Sequence, residues 1–109
     1  MINWGTNRWY LSGPLGAFTT NSVRFNGPGY MSKSITLVTP RRLVQLAAFN
    51  GGSASSTVSA TCDGQHKVQI TVASNQQATL VTNWSGTCTT VSIGSSNGWN
   101  TNFDNLVLE

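Results

Sequence analysis

The feature that most constrains this chain is a period of two. From Ser22 onward, short runs of alternating apolar and polar residues are cut at regular intervals by turn-forming groups, and no stretch carries the i, i+3, i+4, i+7 spacing of an amphipathic helix. The alternation predicts strands near Ser22 to Asn26, Lys33 to Val38, Arg42 to Phe49, Ser56 to Cys62, Lys67 to Val72, Ala78 to Thr82, Cys88 to Ile93 and Phe103 to Leu108. Between them stand Gly27-Pro28-Gly29, Asn50-Gly51-Gly52, Asp63-Gly64, Ser74-Asn75, Ser85-Gly86 and Asn97-Gly98, residues that supply positive or fixed φ in turns. Evenly spaced short strands read as an all-β sandwich or barrel of about eight strands.

Two strands show their faces plainly. Val58, Ala60 and Cys62 on one, and Val68, Ile70 and Val72 on the next, point to a common core across an Asp63-Gly64-Gln65-His66 hairpin. The parity breaks near Cys88: Val91 and Ile93 alternate out of phase with it, so all three face inward only if a bulge or strand start intervenes. Residues 1–21, with Trp4, Trp9, Tyr10 and Phe18 among Gly and Asn, read as one edge strand plus a long loop.

A chain of 109 residues matches one domain, 1–109, with a single core. Only 8% of its residues are charged, against a usual figure of about 25%, yet β-branched and aromatic residues recur throughout, which excludes the composition of disorder. The net charge of +3 comes from Arg8, Arg24, Lys33, Arg41, Arg42 and Lys67, scattered so that only Arg41 and Arg42 adjoin; this is no phosphate-binding stripe, and no nucleic-acid partner is expected. No run approaches eighteen apolar residues, so no membrane partner is expected either. The first fifteen residues lack a signal pattern, so an exported chain of this kind would take its signal from a longer parent protein. A monomer is expected, since no sustained apolar surface stripe is visible.

Cys62 and Cys88 are the only cysteines and His66 the only histidine, too few for a structural zinc site. A Cys62–Cys88 disulfide is the expectation, two reduced buried thiols the alternative; the disulfide would add roughly 3 to 4 kcal/mol by restricting the unfolded chain.

Chemistry is scarce. The acids are Asp63, Asp104 and Glu109, so a glycosidase pair needs Asp63 and Asp104 to converge. His66 has no orienting acid nearby except Asp63 and reads as an exposed turn residue, so no enzyme is expected. Aromatics are the remaining resource: flat faces on which pyranose rings stack, flanked by amides that bond hydroxyls. Candidate sugar-binding residues are Trp9 and Tyr10, Asn83 and Trp84, and Asn97, Trp99 and Asn100, with Trp4 beside them; each aromatic alternatively caps the rim of the core. Asp104, near a strand start, could contribute a carboxylate to a structural calcium ion, though no cofactor is required.

Three segments carry a resemblance: Pro40-Arg41-Arg42-Leu43-Val44, Ala48-Phe49-Asn50-Gly51-Gly52 and the closing Gly98-Trp99-Asn100-Thr101-Asn102-Phe103-Asp104-Asn105-Leu106. Over roughly residues 20–109 the chain resembles the jelly-roll carbohydrate-binding modules of secreted bacterial polysaccharide-degrading enzymes. The resemblance implies an antiparallel jelly-roll sandwich, a polysaccharide partner such as β-glucan, cellulose or xylan, an extracellular setting within a multidomain enzyme, and Asp104 as the candidate calcium ligand. A structural spacer or adhesion module without sugar binding is the rival reading.

Overall fold

The computed structural model describes residues 2–3, 9–12, 22–25 and 31–109. Within them ten strands run in chain order: β1 (Ile2–Asn3), β2 (Trp9–Ser12), β3 (Ser22–Phe25), β4 (Ser32–Arg41), β5 (Leu43–Asn50), β6 (Ser56–Cys62), β7 (Gln65–Val72), β8 (Gln77–Val81), β9 (Cys88–Ser95) and β10 (Thr101–Leu108), with one 3-10 turn at Gly98–Asn100. Each of the eight strands expected from the alternation is present as β3 to β10. The amino-terminal expectation is corrected: residues 1–21 contribute two short edge strands, β1 and β2, because the described backbone at 2–3 and at 9–12 pairs with two different sheets.

The strands form two five-stranded antiparallel sheets, ordered β1-β4-β9-β6-β7 and β2-β3-β10-β5-β8. Every connection changes sheet except β2–β3 and β6–β7, so the chain winds between the layers as a jelly-roll sandwich does. The pattern of β6 shows why the sheets face each other. Ser56, Val58, Ala60 and Cys62 are buried while the residues between them are half-exposed, and Val58 and Ala60 join Ile35, Leu37, Leu43, Leu46, Leu80, Val91, Ile93 and Phe103 in one core. Burying such side chains contributes about 1.5 to 3 kcal/mol each, which is why strand parity is held so strictly.

Asp63 and Gly64 have φ of 49° and 77°, the positive values a two-residue type I′ hairpin requires, and Cys62 pairs with Gln65 across them. Cys62 and Cys88 are disulfide-bonded, their Cα atoms 5.5 Å apart. The parity break in β9 has a visible cause. Thr89 and Thr90, consecutive residues, both donate main-chain N–H groups to Asp63 Oδ1, at 3.1 and 2.8 Å. Successive N–H groups of a regular strand point to opposite sides, so their convergence on one carboxylate marks a bulge. The register of β4 with β9 shifts at the same place, between Thr36 and Arg41, and Cys88, Val91 and Ile93 all reach the core.

Candidate functional site

Strand register gives the sandwich two distinct ends. One holds the end of β6, the start of β7 and the start of β9, tied by the disulfide. The other holds the end of β5 and the starts of β6 and β10, around Asn50 and Thr101.

At the disulfide end a cleft of about 480 Å³ opens between the β6–β7 hairpin and the segment from Asn83 to Thr87. Asp63, Gln65, His66, Asn83, Ser85 and Thr87 line it, with Trp84 and the Cys62 side of the disulfide behind them. The segment after β8 is held at four points. Buried Thr82 bonds back to Val44, its N–H donating to the Val44 carbonyl at 3.0 Å. Trp84 N–H donates to Thr82 Oγ1 at 3.3 Å, and the Trp84 indole Nε1 donates to the His66 carbonyl at 2.8 Å. Arg42 Nη1 donates to the Trp84 carbonyl at 3.0 Å, while its other nitrogen pairs with Glu109. Asn83 sits on the lip, exposed, with φ of 57°, a left-handed conformation that Asn tolerates better than most residues. Trp84 is only 8% exposed, so its indole braces the cleft as a wall and does not offer the open face expected of a stacking platform.

The other aromatic candidates are not brought here. Trp9 lies on the edge strand β2, whereas Trp84 follows β8 at the opposite edge of the same sheet. Its indole packs edge-on against Phe25 and Phe103, centroids 5.3 and 6.1 Å away, and its Nε1 donates to the Ser34 carbonyl in the facing sheet at 3.3 Å. Trp9 therefore closes the rim of the core at that edge. The backbone of Tyr10 pairs with Arg24; Trp4 and the side chains of Tyr10 and Trp99 lie outside the described residues.

Asn97 belongs to the second end, where its amide is engaged internally. Its Nδ2 donates to Asn50 Oδ1 at 2.7 Å, and its Oδ1 accepts from Ser95 Oγ at 2.8 Å and Thr101 Oγ1 at 2.6 Å. Asn50, fully buried, donates to the Ala54 and Val72 carbonyls and also accepts from Gly52 N–H. Its four hydrogen-bonding positions are thereby filled. Asn100 is exposed in the 3-10 turn, its carbonyl accepting from Gly51 N–H. Asp104 is half-buried on β10, where its Oδ1 accepts the Asn105 N–H at 2.8 Å. Among the described residues no group of three or more His, Cys, Asp or Glu side chains gathers there or elsewhere. The one carboxylate does not by itself make the oxygen cage calcium takes.

Two lining residues that the motifs did not mark as ligand contacts are Gln65 and Thr87; Asp63, weighed above only as an acid, lines the cleft with them. The disulfide expectation joined to the Asp63-Gly64 turn was the signal that could have placed them beside Asn83. Asp63 lies in the β6–β7 turn of the first sheet and Asp104 on β10 of the second, and the Asp63 carboxylate is occupied by main-chain amides. Comparison with protein-family models, with curated proteins and with solved structures returns no match for this chain.

Proposed function

We propose that this chain is a non-catalytic glycan-binding module that holds a neutral sugar unit of a polysaccharide in the cleft at its disulfide end. The observation that carries the reading is the lining. Exposed Gln65, Asn83, Ser85 and Thr87 offer amide and hydroxyl groups around a braced indole, in a volume within the range of small-ligand sites. Amides and hydroxyls bond neutral hydroxyl groups without the desolvation cost that a charge would add. The non-catalytic reading rests on the one carboxylate among the described cleft residues, that of Asp63, accepting the Thr89 and Thr90 amides. The disulfide fits an oxidising compartment, and the reading therefore includes export, as part of a larger enzyme acting on β-glucan, cellulose or xylan.

Retention on insoluble cellulose and xylan and mobility in gels containing mixed-linkage glucan or mannan test this. Wild-type protein is expected to be retarded by one polymer, equally at low and high salt. Asn83→Ala and Gln65→Ala, both exposed positions, should weaken binding roughly tenfold each, as loss of a good hydrogen bond does, and Asn100→Ala should not. No retention on any neutral polymer would sink the proposal. It would move the assignment to a structural spacer or adhesion module, which one observation favours: the indoles of Trp9 and Trp84 are both bonded and packed against the core.

A further inference from the structure

The outer face of the first sheet carries a second concavity. A groove of about 290 Å³ crosses β4, β9, β6 and β7, lined by Ser32, Ser59, Thr61, Ser92, Lys67 and Gln69 and floored at Gly94. Strand register aligns its residues in rows. Ser32 pairs with Gly94, Gly94 with Ser59, and Ser59 with Gln69; beside that row, Ser34 pairs with Ser92 and Ser92 with Thr61. Along β6, Thr57 to Thr61 spans about 13 Å at the usual strand rise.

Gly94 keeps the floor open. A Cβ there would lie 2.5 Å from Ser59 Oγ, so a side chain would have to displace Ser59 and fill the depression. Among the described residues the walls hold no aromatic side chain and no acid. Their single charge is the exposed Lys67, whose ammonium has no hydrogen-bond or ion-pair partner among the described residues. A ligand suited to this groove offers many hydroxyls to the Ser and Thr rows and one anionic group to the ammonium, because the described walls are hydroxyl-rich and an unopposed cation favours an anion.

We propose that the groove binds a linear acidic glycan, with a carboxylate or sulfate substituent on Lys67 and ring hydroxyls on Ser59, Thr61 and Gln69. This site stands apart from the cleft, lies on a different face and is separable from it by charge. The two predict different salt responses, weakening here and none at the cleft, since a partly exposed ion pair is screened and a neutral hydrogen-bonded contact is not.

The test is affinity electrophoresis and calorimetry with polygalacturonate, its methyl ester and dextran sulfate, each at low and high salt. The wild-type protein is expected to bind an acidic polymer, less tightly at high salt, and to ignore the methyl ester; whichever acidic polymer it binds identifies the substituent. Lys67→Gln should weaken that binding roughly tenfold. Gln69→Leu, at an exposed position, should weaken it too, with an unchanged thermal midpoint for both variants. Arg41→Gln, which removes an exposed cation elsewhere, should leave binding intact. The proposal is overturned if no acidic polymer binds, if the methyl ester binds as well as the acid, or if Arg41→Gln costs as much as Lys67→Gln, which would mean diffuse charge attraction. Neutral-polymer binding through the cleft should survive Lys67→Gln, and acidic-polymer binding should survive Asn83→Ala, so either site can fail without the other.

Discussion

The two ends of the sandwich solve the same problem with different chemistry. At the disulfide end, a covalent bond and the Asp63 carboxylate fix the backbone, and the surrounding Asn, Gln, Ser and Thr side chains are left facing a cleft. At the other end no such bond exists among the described residues; Asn50, Ser56, Ser95, Asn97 and Thr101 fix the backbone by bonding one another, Ser56 Oγ and Ser95 Oγ lying 2.9 Å apart. No buried side-chain nitrogen or oxygen among the described residues lacks a partner. Identical residue types therefore serve structure where they are enclosed and stay available to a ligand where another device holds the chain. Asn97 and Asn83 are the clearest pair: one amide is consumed internally, the other stands on the lip of the cleft.

The contrast can be broken most forcefully by removing the disulfide. Replacing Cys62 and Cys88 by Ala frees a loop of 26 residues, and the chain-entropy relation gives a loss of about 3.5 kcal/mol. Urea unfolding should show it as a lowered midpoint, and hydrogen exchange should show amides of Asp63 to His66 losing protection before those around Asn50. Equal loss at both ends would mean that the ends are not independent.

Next in size is Asn50→Leu at the polar end, which strands the Val72 carbonyl and Asn97 Nδ2 without their partner. The expected cost is about 3 kcal/mol, since each orphaned buried group costs about 1 to 3. The glycan binding proposed for the cleft, measured on the fraction that remains folded, should be unchanged, because the cleft lies at the far end.

Asp63→Asn sharpens the comparison. The side chain keeps its shape but loses the charge that strengthens its bonds to Thr89 and Thr90, at a cost of about 1 to 2 kcal/mol in thermal unfolding. A neutral outcome would show that the disulfide alone holds the bulge. The smallest effect is expected from Arg42→Gln. Its ion pair with Glu109 joins groups 30% and 63% exposed and contributes well under about 1 kcal/mol, so any larger loss would come from the hydrogen bond to the Trp84 carbonyl.

Fold class was legible because strand parity and turn residues are local. Val58, Ala60 and Cys62 declare an inward face without reference to any other strand, and Asp63-Gly64 specifies its own positive φ values. The bulge before Val91 was legible as a need, through the broken parity of Cys88, but its means was not, because the carboxylate that secures it lies 26 residues away from Thr89. The site was legible only in part: Asn83 and Trp84 do meet at one cleft, while Trp9 and Asn97 lie elsewhere and are engaged internally. An aromatic or amide side chain has the same letter in the sequence whether its face is open or packed.

The sequence by itself thus determined the all-β class, the positions of β3 to β10, the hairpin and which two cysteines could pair, since each follows from local periodicity, local φ preference or a count; that they do pair came from the fold. Tertiary structure alone decided which strands share a sheet, which of two ends receives the disulfide, and which polar side chains are spent on one another. Those outcomes depend on inter-sheet packing and on register between strands far apart in the chain, and every residue type but proline offers the same backbone donor and acceptor, so no local pattern encodes them.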